Sequence, residues 1–192
     1  FLYFTWGIDS FYLVASQIWG TMESFTLVAI PLFVFMAMIL ERTGVANSLY
    51  RMMYLWWGGT RGGLAIGTVF ICAVFAAMCG ISGAAVVAMG TIALPSMLER
   101  GYDKHMALGA INIGGGLGIL IPPSIIMILY SLITGVSVGQ MFAAGVLPGI
   151  LLVILVAIYV LVRCYFQPEL APALPPEERG DWPEKFRSLG AV

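Results

Sequence analysis

Residues 62–98 read GGLAIGTVFICAVFAAMCGISGAAVVAMGTIALPSML, and over all 37 of them there is no Asp, Glu, Lys, Arg or His. A helix that crosses a hydrocarbon core of ~30 Å needs about 20 apolar residues, so this run is too long for one span. Split at Gly80-Ile81-Ser82-Gly83, it leaves arms of about 17 and 15 residues, which are short for two full spans. A re-entrant hairpin over 62–99, turning back inside the membrane at the glycines, fits better. Two full spans would return the chain to the same side, so charge does not separate the alternatives.

The charges on either side of the run fix its orientation. Upstream, Arg42, Arg51 and Arg61 outnumber the single acid Glu41, and Tyr54, Trp56 and Trp57 form an aromatic anchor. Downstream, Glu99-Arg100-Gly101-Tyr102-Asp103-Lys104-His105 again carries fixed positive charge. By the positive-inside rule both connections face the cytoplasm. Residues 42–61 therefore read as a cytoplasmic amphipathic connection. Residues 24–41 read as a transmembrane helix, capped by Ser24 and stopped at Glu41-Arg42-Thr43-Gly44. Residues 1–23, with Trp6, Tyr12 and Trp19, suit an interfacial helix.

Residues 105–134 form a second long apolar run that is not expected to be straight. Gly114-Gly115-Gly116-Leu117-Gly118 followed by Ile121-Pro122-Pro123-Ser124 combines weak helix formers with two missing backbone donors. The helix should break near the bilayer centre, with Pro123 in the first turn of a new half-helix and Asp103 capping the first half. Residues 141–163 read as a further transmembrane helix, with Ser137 and Gln140 at capping-box spacing and Arg163 on the same positive side as Arg42 and Arg100. Residues 164–192, rich in proline and charge, read as a polar tail or linker.

The chain has 60% hydrophobic and 10% charged residues, against roughly 25% charged in a soluble domain. Its mean hydropathy is +0.97. The class is an all-α polytopic membrane protein. A net charge of −1 without a basic run leaves nothing to hold a phosphate backbone, which excludes nucleic acid as a partner. Cys72, Cys79 and Cys164 are odd in number and lie in or beside apolar segments, as small buried hydrophobes do. The chain begins at Phe1 without a signal-peptide series, and reads as an internal piece of a longer protein.

Irregular backbone at membrane depth is tolerated only where protein or a water-filled cavity satisfies its polar groups. The two interruptions therefore mark a candidate binding site. Each leaves the carbonyl end of one helix and the amide end of another pointing inward, suited to a cation and an anionic substrate respectively. The candidates are Gly80, Ser82 and Gly83 at the hairpin, and Asn112, Gly114, Gly115, Gly116, Gly118, Pro122, Pro123 and Ser124 at the broken helix. Ser82 is a helix cap, a sodium ligand or both; Asn112 is a second polar ligand or an interhelical hydrogen bond. The competing reading is that the glycines serve only close helix packing, although the double proline adds a break that packing does not require. With no ionisable relay between 62 and 98 or between 106 and 162, sodium coupling through carbonyl and hydroxyl oxygens is favoured over proton coupling. No cofactor is implied beyond sodium as coupling ion. Gly80-Ile81-Ser82-Gly83 also matches G-x-S-G of intramembrane serine proteases, but that chemistry needs a base near the serine, and the single histidine, His105, lies in a charged loop.

Taken in order, AIPLFVFMAMILERTG, RGGLAIGTVF, GISGAA, MLERGYDKHMALGA, GGGLGILIPPSIIMILY and MFAAGVLPGILL resemble the first half of the large membrane subunit (DctM-like) of tripartite ATP-independent periplasmic (TRAP) transporters, from about Leu27 to Leu152. The resemblance implies an ion-transporter-superfamily elevator fold, of which this chain would be one inverted repeat. It implies sodium-driven import of organic acids, C4-dicarboxylate-like or other carboxylates, across the bacterial inner membrane. The implied partners are a periplasmic substrate-binding protein, a small membrane subunit, separate or fused, and the lipid bilayer. Many members have a serine where this chain has Ala84, a polar or acidic residue at Val87 and a proline at Ile119, so more of the ion coordination falls here on backbone carbonyls. Two alternatives remain at this stage: a dicarboxylate carrier of the same superfamily that works without a binding protein, and the intramembrane protease.

Overall fold

The computed structural model describes residues 7, 9–173 and 185. The start of the expected interfacial region, with Trp6, and most of the tail beyond 173 lie outside the described residues. The chain folds as eight helices with no strand among the described residues: α1 (Asp9–Met22), α2 (Phe25–Arg42), α3 (Val45–Trp57), α4 (Gly63–Cys79), α5 (Ser82–Glu99), α6 (Lys104–Leu117), α7 (Ile125–Thr134) and α8 (Val138–Phe166), then a 3-10 turn at Pro168–Leu170.

A helix that is apolar on every side belongs at the centre of a bundle, and α4 takes that place, with Ile71, Cys72, Phe75 and Ala76 all buried. α5 runs back beside it, and the Leu64 N–H donates to the Tyr102 hydroxyl at 3.3 Å, so the two arms begin and end on one side. α6 then runs alongside α4 in the same direction. Its glycines permit the approach: a β-carbon at Gly114 would lie 3.0 Å from Val69 Cα, and one at Gly118 would strike Ala76.

α8 gives the hairpin its height. At the base, a β-carbon on Gly62 would lie 2.7 Å from Cys164 Sγ; at the break, one on Gly149 would lie 2.8 Å from Ile121 Cγ1. The fifteen steps between Gly149 and Cys164 cover ~22 Å, and the eleven from Val138 to Gly149 another ~17 Å, at ~1.5 Å per residue. The hairpin tip touches the break, so it stops near the middle of the apolar run Met141–Val162 rather than reaching the far end of α8. α4 and α7 are apolar but short, whereas α5 and α8 are each long and apolar enough to cross a membrane. α1 and α2 pass the same test only together, bent by 56° at their junction.

α3 buries Ala46, Tyr50 and Met53 along one face. It is tied to the hairpin base by Arg100, whose Nε and Nη2 donate to the Tyr54 hydroxyl at 3.0 and 2.8 Å. Arg100 Nη1 also donates to the Ser96 carbonyl at 3.0 Å.

Several local expectations differ in the structure. α8 extends beyond 141–163 at both ends, and residues 164–173 do not behave as a solvated tail. Cys164 and Ala171 are buried, while the Leu170 and Ala171 carbonyls accept from Asp103 N–H at 2.9 Å and Gly62 N–H at 3.2 Å. Small side chains over Gly62 and two free amides at the hairpin base give this segment somewhere to dock. Pro123 lies just outside α7 rather than in its first turn, because Ser124 takes the extended cap conformation (φ −132°, ψ 128°). Ser24 and Ser137 do hold the cap positions of α2 and α8, but neither side chain makes a cap hydrogen bond. Asp103 does: its side chain accepts from the N–H groups of His105 at 2.9 Å and Met106 at 3.1 Å.

Candidate functional site: a hairpin tip against a broken helix

Gly80 ends α4 in the left-handed region (φ 66°), which lets the chain turn into α5 within two residues. This tip rests on the break between α6 and α7. The Gly80 carbonyl accepts from the Ile125 N–H at 3.4 Å, and a β-carbon at Gly80 would lie 3.2 Å from the Pro123 carbonyl oxygen. On the α6 side, a β-carbon at Gly115 would strike Val86 and lie 3.3 Å from the Ser82 carbonyl. The structure thus brings Gly80, Ser82, Gly115, Pro123 and Ser124 together.

The break exposes backbone groups of both signs. Pro122 and Pro123 have no N–H to offer the carbonyls of Gly118 and Ile119, four residues earlier in a helical register. Among the described residues, no backbone N–H donates to the carbonyls of residues 118–123. Opposite charge character is supplied by helix starts: the N–H groups of Ser82, Gly83 and Ala84 in α5, and of Ile126 and Met127 in α7, have no backbone acceptor there. Free carbonyls suit a hard cation, and free amides at helix N-termini suit an anion.

The side chains add few oxygens. Ser124 is fully buried at the α7 cap and its hydroxyl has no hydrogen-bond partner; Ser131, two turns on, is in the same condition. Ser131 carried no signal in the sequence reading. Ser82 is not the cap of α5: Ile81 occupies that position, and Ser82 is the first helical residue. Of the two readings of its hydroxyl, capping is therefore not the one the geometry realises. Asn112 is exposed and its Nδ2 donates to the Leu108 carbonyl at 2.9 Å, so it bonds its own helix rather than a neighbour.

The glycines divide into two groups. Gly80, Gly114, Gly115 and Gly118 are in close contact with neighbouring segments, so packing is sufficient to require them. Gly83 and Gly116 are different, because a β-carbon at either would meet nothing within 4 Å. Gly116 lies one turn from Asn112 on the exposed side of α6, and that strip is not used in packing among the described residues.

His105, the base that a protease reading would require, is in the first turn of α6. Gly115, which abuts Ser82, is ten residues further along, or ~15 Å of helix axis. The histidine and the serine are at opposite ends of the helix, so His105 and Ser82 do not form a catalytic pair.

A two-armed apolar hairpin thus meets a broken helix in a bundle with two helices long and apolar enough to cross a membrane. The comparisons with known proteins give the family. The family model described as "Tripartite ATP-independent periplasmic transporter, DctM component" matches residues 1–186. The C4-dicarboxylate TRAP transporter large permease protein DctM of Vibrio cholerae is 44% identical over 166 residues, covering 84% of this chain and 37% of that protein. Its counterpart from Pseudomonas aeruginosa is 40% identical over 176 residues, 91% of this chain and 40% of that protein. The ectoine TRAP transporter large permease protein TeaC of Halomonas elongata is 33% identical over 183 residues, 95% of this chain and 42% of that protein. The chain belongs to the DctM family of TRAP transporter large permeases. It spans about two fifths of the length of these relatives. The relatives are permeases, a transport rather than an enzymatic role.

Proposed function

We propose that this chain forms one repeat of an elevator-type, sodium-coupled carrier in the bacterial inner membrane, importing an organic acid handed over by a periplasmic binding protein. A small membrane subunit, separate or fused, completes the assembly. The hairpin tip and the broken helix supply one half of the ion and substrate site. The free carbonyls of residues 118–123 and the Ser82 hydroxyl ligate sodium. The amides that begin α5 and α7 face the substrate carboxylate, next to the open strip at Gly83, Asn112 and Gly116. A C4-dicarboxylate or another carboxylate is the substrate class.

The observation that carries this reading is the position of the tip. It abuts the break midway along the apolar run of α8, where unpaired backbone groups are tolerated only around a cavity or a bound species. The same placement supports a re-entrant hairpin over two full spans.

Sodium dependence tests the reading. Ser82→Ala in the complete transporter removes one oxygen ligand without removing a cap. The sodium concentration for half-maximal uptake should rise, and saturating sodium should restore part of the rate, because ion and substrate binding are linked. Sodium titrations of wild type and variant that superimpose at equal expression would remove Ser82 from the ion site. Uptake indifferent to sodium in the wild type would overturn the coupling itself.

A further inference from the structure

α4 is buried along its length except at Phe70, which is exposed. Phe70 lines an apolar groove of about 390 Å³ between α3, α4 and α8, together with Met53 and Trp57 from α3, Ile66 from α4, and Ile154 and Ala157 from α8. No lining residue carries a charge. α3 and α8 thus leave open a gap that their own side chains do not fill.

The chain itself returns to the edge of this groove. The Trp56 indole N–H donates to the Lys185 carbonyl at 3.2 Å. Tyr54, two residues before Trp56, faces α5 through Arg100. Two residues are ~200° of rotation at ~3.6 residues per turn, so Trp56 is on the other flank of α3. There it neighbours Met53 at i, i+3 spacing. Lys185 is therefore held at the rim of the groove. Phe186, Arg187, Ser188 and Leu189 follow it in sequence and lie outside the described residues. Consecutive Cα atoms are ~3.8 Å apart, so an aromatic side chain is tethered one residue from an aromatic-walled groove.

We infer that the groove is the docking site of the segment that follows Lys185, with the Phe186 side chain seated among Met53, Trp57, Phe70 and Ile154. A lipid acyl chain would find the same apolar walls, but the lining offers no cation for its phosphate, and the Lys185 backbone holds the rim. Phe186 needs no anchor beyond the bond already made, and its docking is intramolecular. Lys185 and Arg187 on either side keep their charges at the headgroups while the ring goes in. The segment pins α3 to α8 across the gap between them. Phe70 is ten residues, or ~15 Å of helix axis, from Gly80, so the inference does not depend on the ion and substrate assignments at the hairpin tip.

The test is photo-crosslinking of the complete transporter in native membranes, with Phe186 replaced by p-benzoylphenylalanine. After irradiation and digestion, mass spectrometry should find position 186 joined to the peptides that carry Met53 or Ile154. Ile154→Trp, a substitution at a half-exposed position that fills the groove, should lower that yield about tenfold or more, the ratio set by burying one phenylalanine. Crosslinks to phospholipid, crosslinks only to residues outside the groove, or no crosslink at all would overturn the docking. So would a yield unchanged by Ile154→Trp.

Discussion

Gly114 and Gly116 lie two residues apart in α6, and alanine at the two positions should act in opposite directions. Both substitutions gain intrinsic helix stability, up to about 1 kcal/mol each. At Gly114 the new methyl would lie 2.6 Å from Cys72 Cβ, 3.0 Å from Val69 Cα and 3.1 Å from the Val69 carbonyl oxygen. Carbon atoms in contact prefer ~3.5–4.0 Å, so α4 and α6 must separate by about 1 Å. The obstructing atoms are mainly backbone and cannot rotate away, which puts the cost at the upper part of the 1–3 kcal/mol typical of overpacking, or roughly beyond it. At Gly116 nothing lies within 4 Å of the added carbon. The two variants should therefore differ by about 2–4 kcal/mol, Gly116→Ala at or above wild type and Gly114→Ala below it. Denaturant unfolding of the complete transporter in detergent measures the difference, and thermal midpoints give the order if unfolding is irreversible. Equal stability, or the reverse order, would refute the α4–α6 packing described above. The stable Gly116→Ala protein then reports on function. If the open strip approaches substrate, uptake falls while the fold is retained.

Replacing Pro122 and Pro123 together with alanine restores donors for the carbonyls of Gly118 and Ile119, so the break should close into continuous helix; insertion should persist and uptake should be lost, as measured in proteoliposomes. Asp103→Ala removes a cap that two amides use and should cost about 0.5–2 kcal/mol. Asp103→Asn should recover most of it, read by the same unfolding assay. Tyr54→Phe deletes the hydroxyl that accepts from Arg100, weakening the attachment of α3 to the hairpin base by about 1.5–3 kcal/mol, as for hydrogen bonds to a charged group. Faster hydrogen exchange in α3 than in α4 would report that loosening; unchanged exchange would show that buried Tyr50 and Met53 hold α3 unaided.

The order of the elements was legible in the sequence because charge and glycine interrupt apolar runs at a few places only. Arg61, the Glu99–His105 cluster and Arg163 mark helix ends that the structure keeps to within a few residues, and the Asp103 cap is realised as read. Composition could not tell packing glycines from open ones. Gly114, Gly115, Gly116 and Gly118 look alike in sequence, and only the position of α4 and α5 distinguishes Gly116 from the rest. The sequence leaves Ser82 as a cap, a sodium ligand or both, because serine before a helix is usually a cap. The preceding Ile81 is instead the residue with extended backbone (φ −129°, ψ 109°), which moves the helix start by one position. The buried Ser131 hydroxyl gave no signal because one serine on an apolar helix has no pattern around it. The docking of residues 167–171 was equally hidden, since it depends on two amides, of Gly62 and Asp103, that are 109 and 67 residues away in sequence.

That docking sets how far the chain can reach. Ten residues, 164–173, follow the last charge of α8, and as a free tether they would span up to ~35 Å. With three of them still helical, and with Leu170 and Ala171 holding the amides of Asp103 and Gly62, almost none of that length is available. The chain therefore passes residue 173 at the hairpin base, and twelve residues on the Lys185 carbonyl accepts from the Trp56 indole N–H at 3.2 Å.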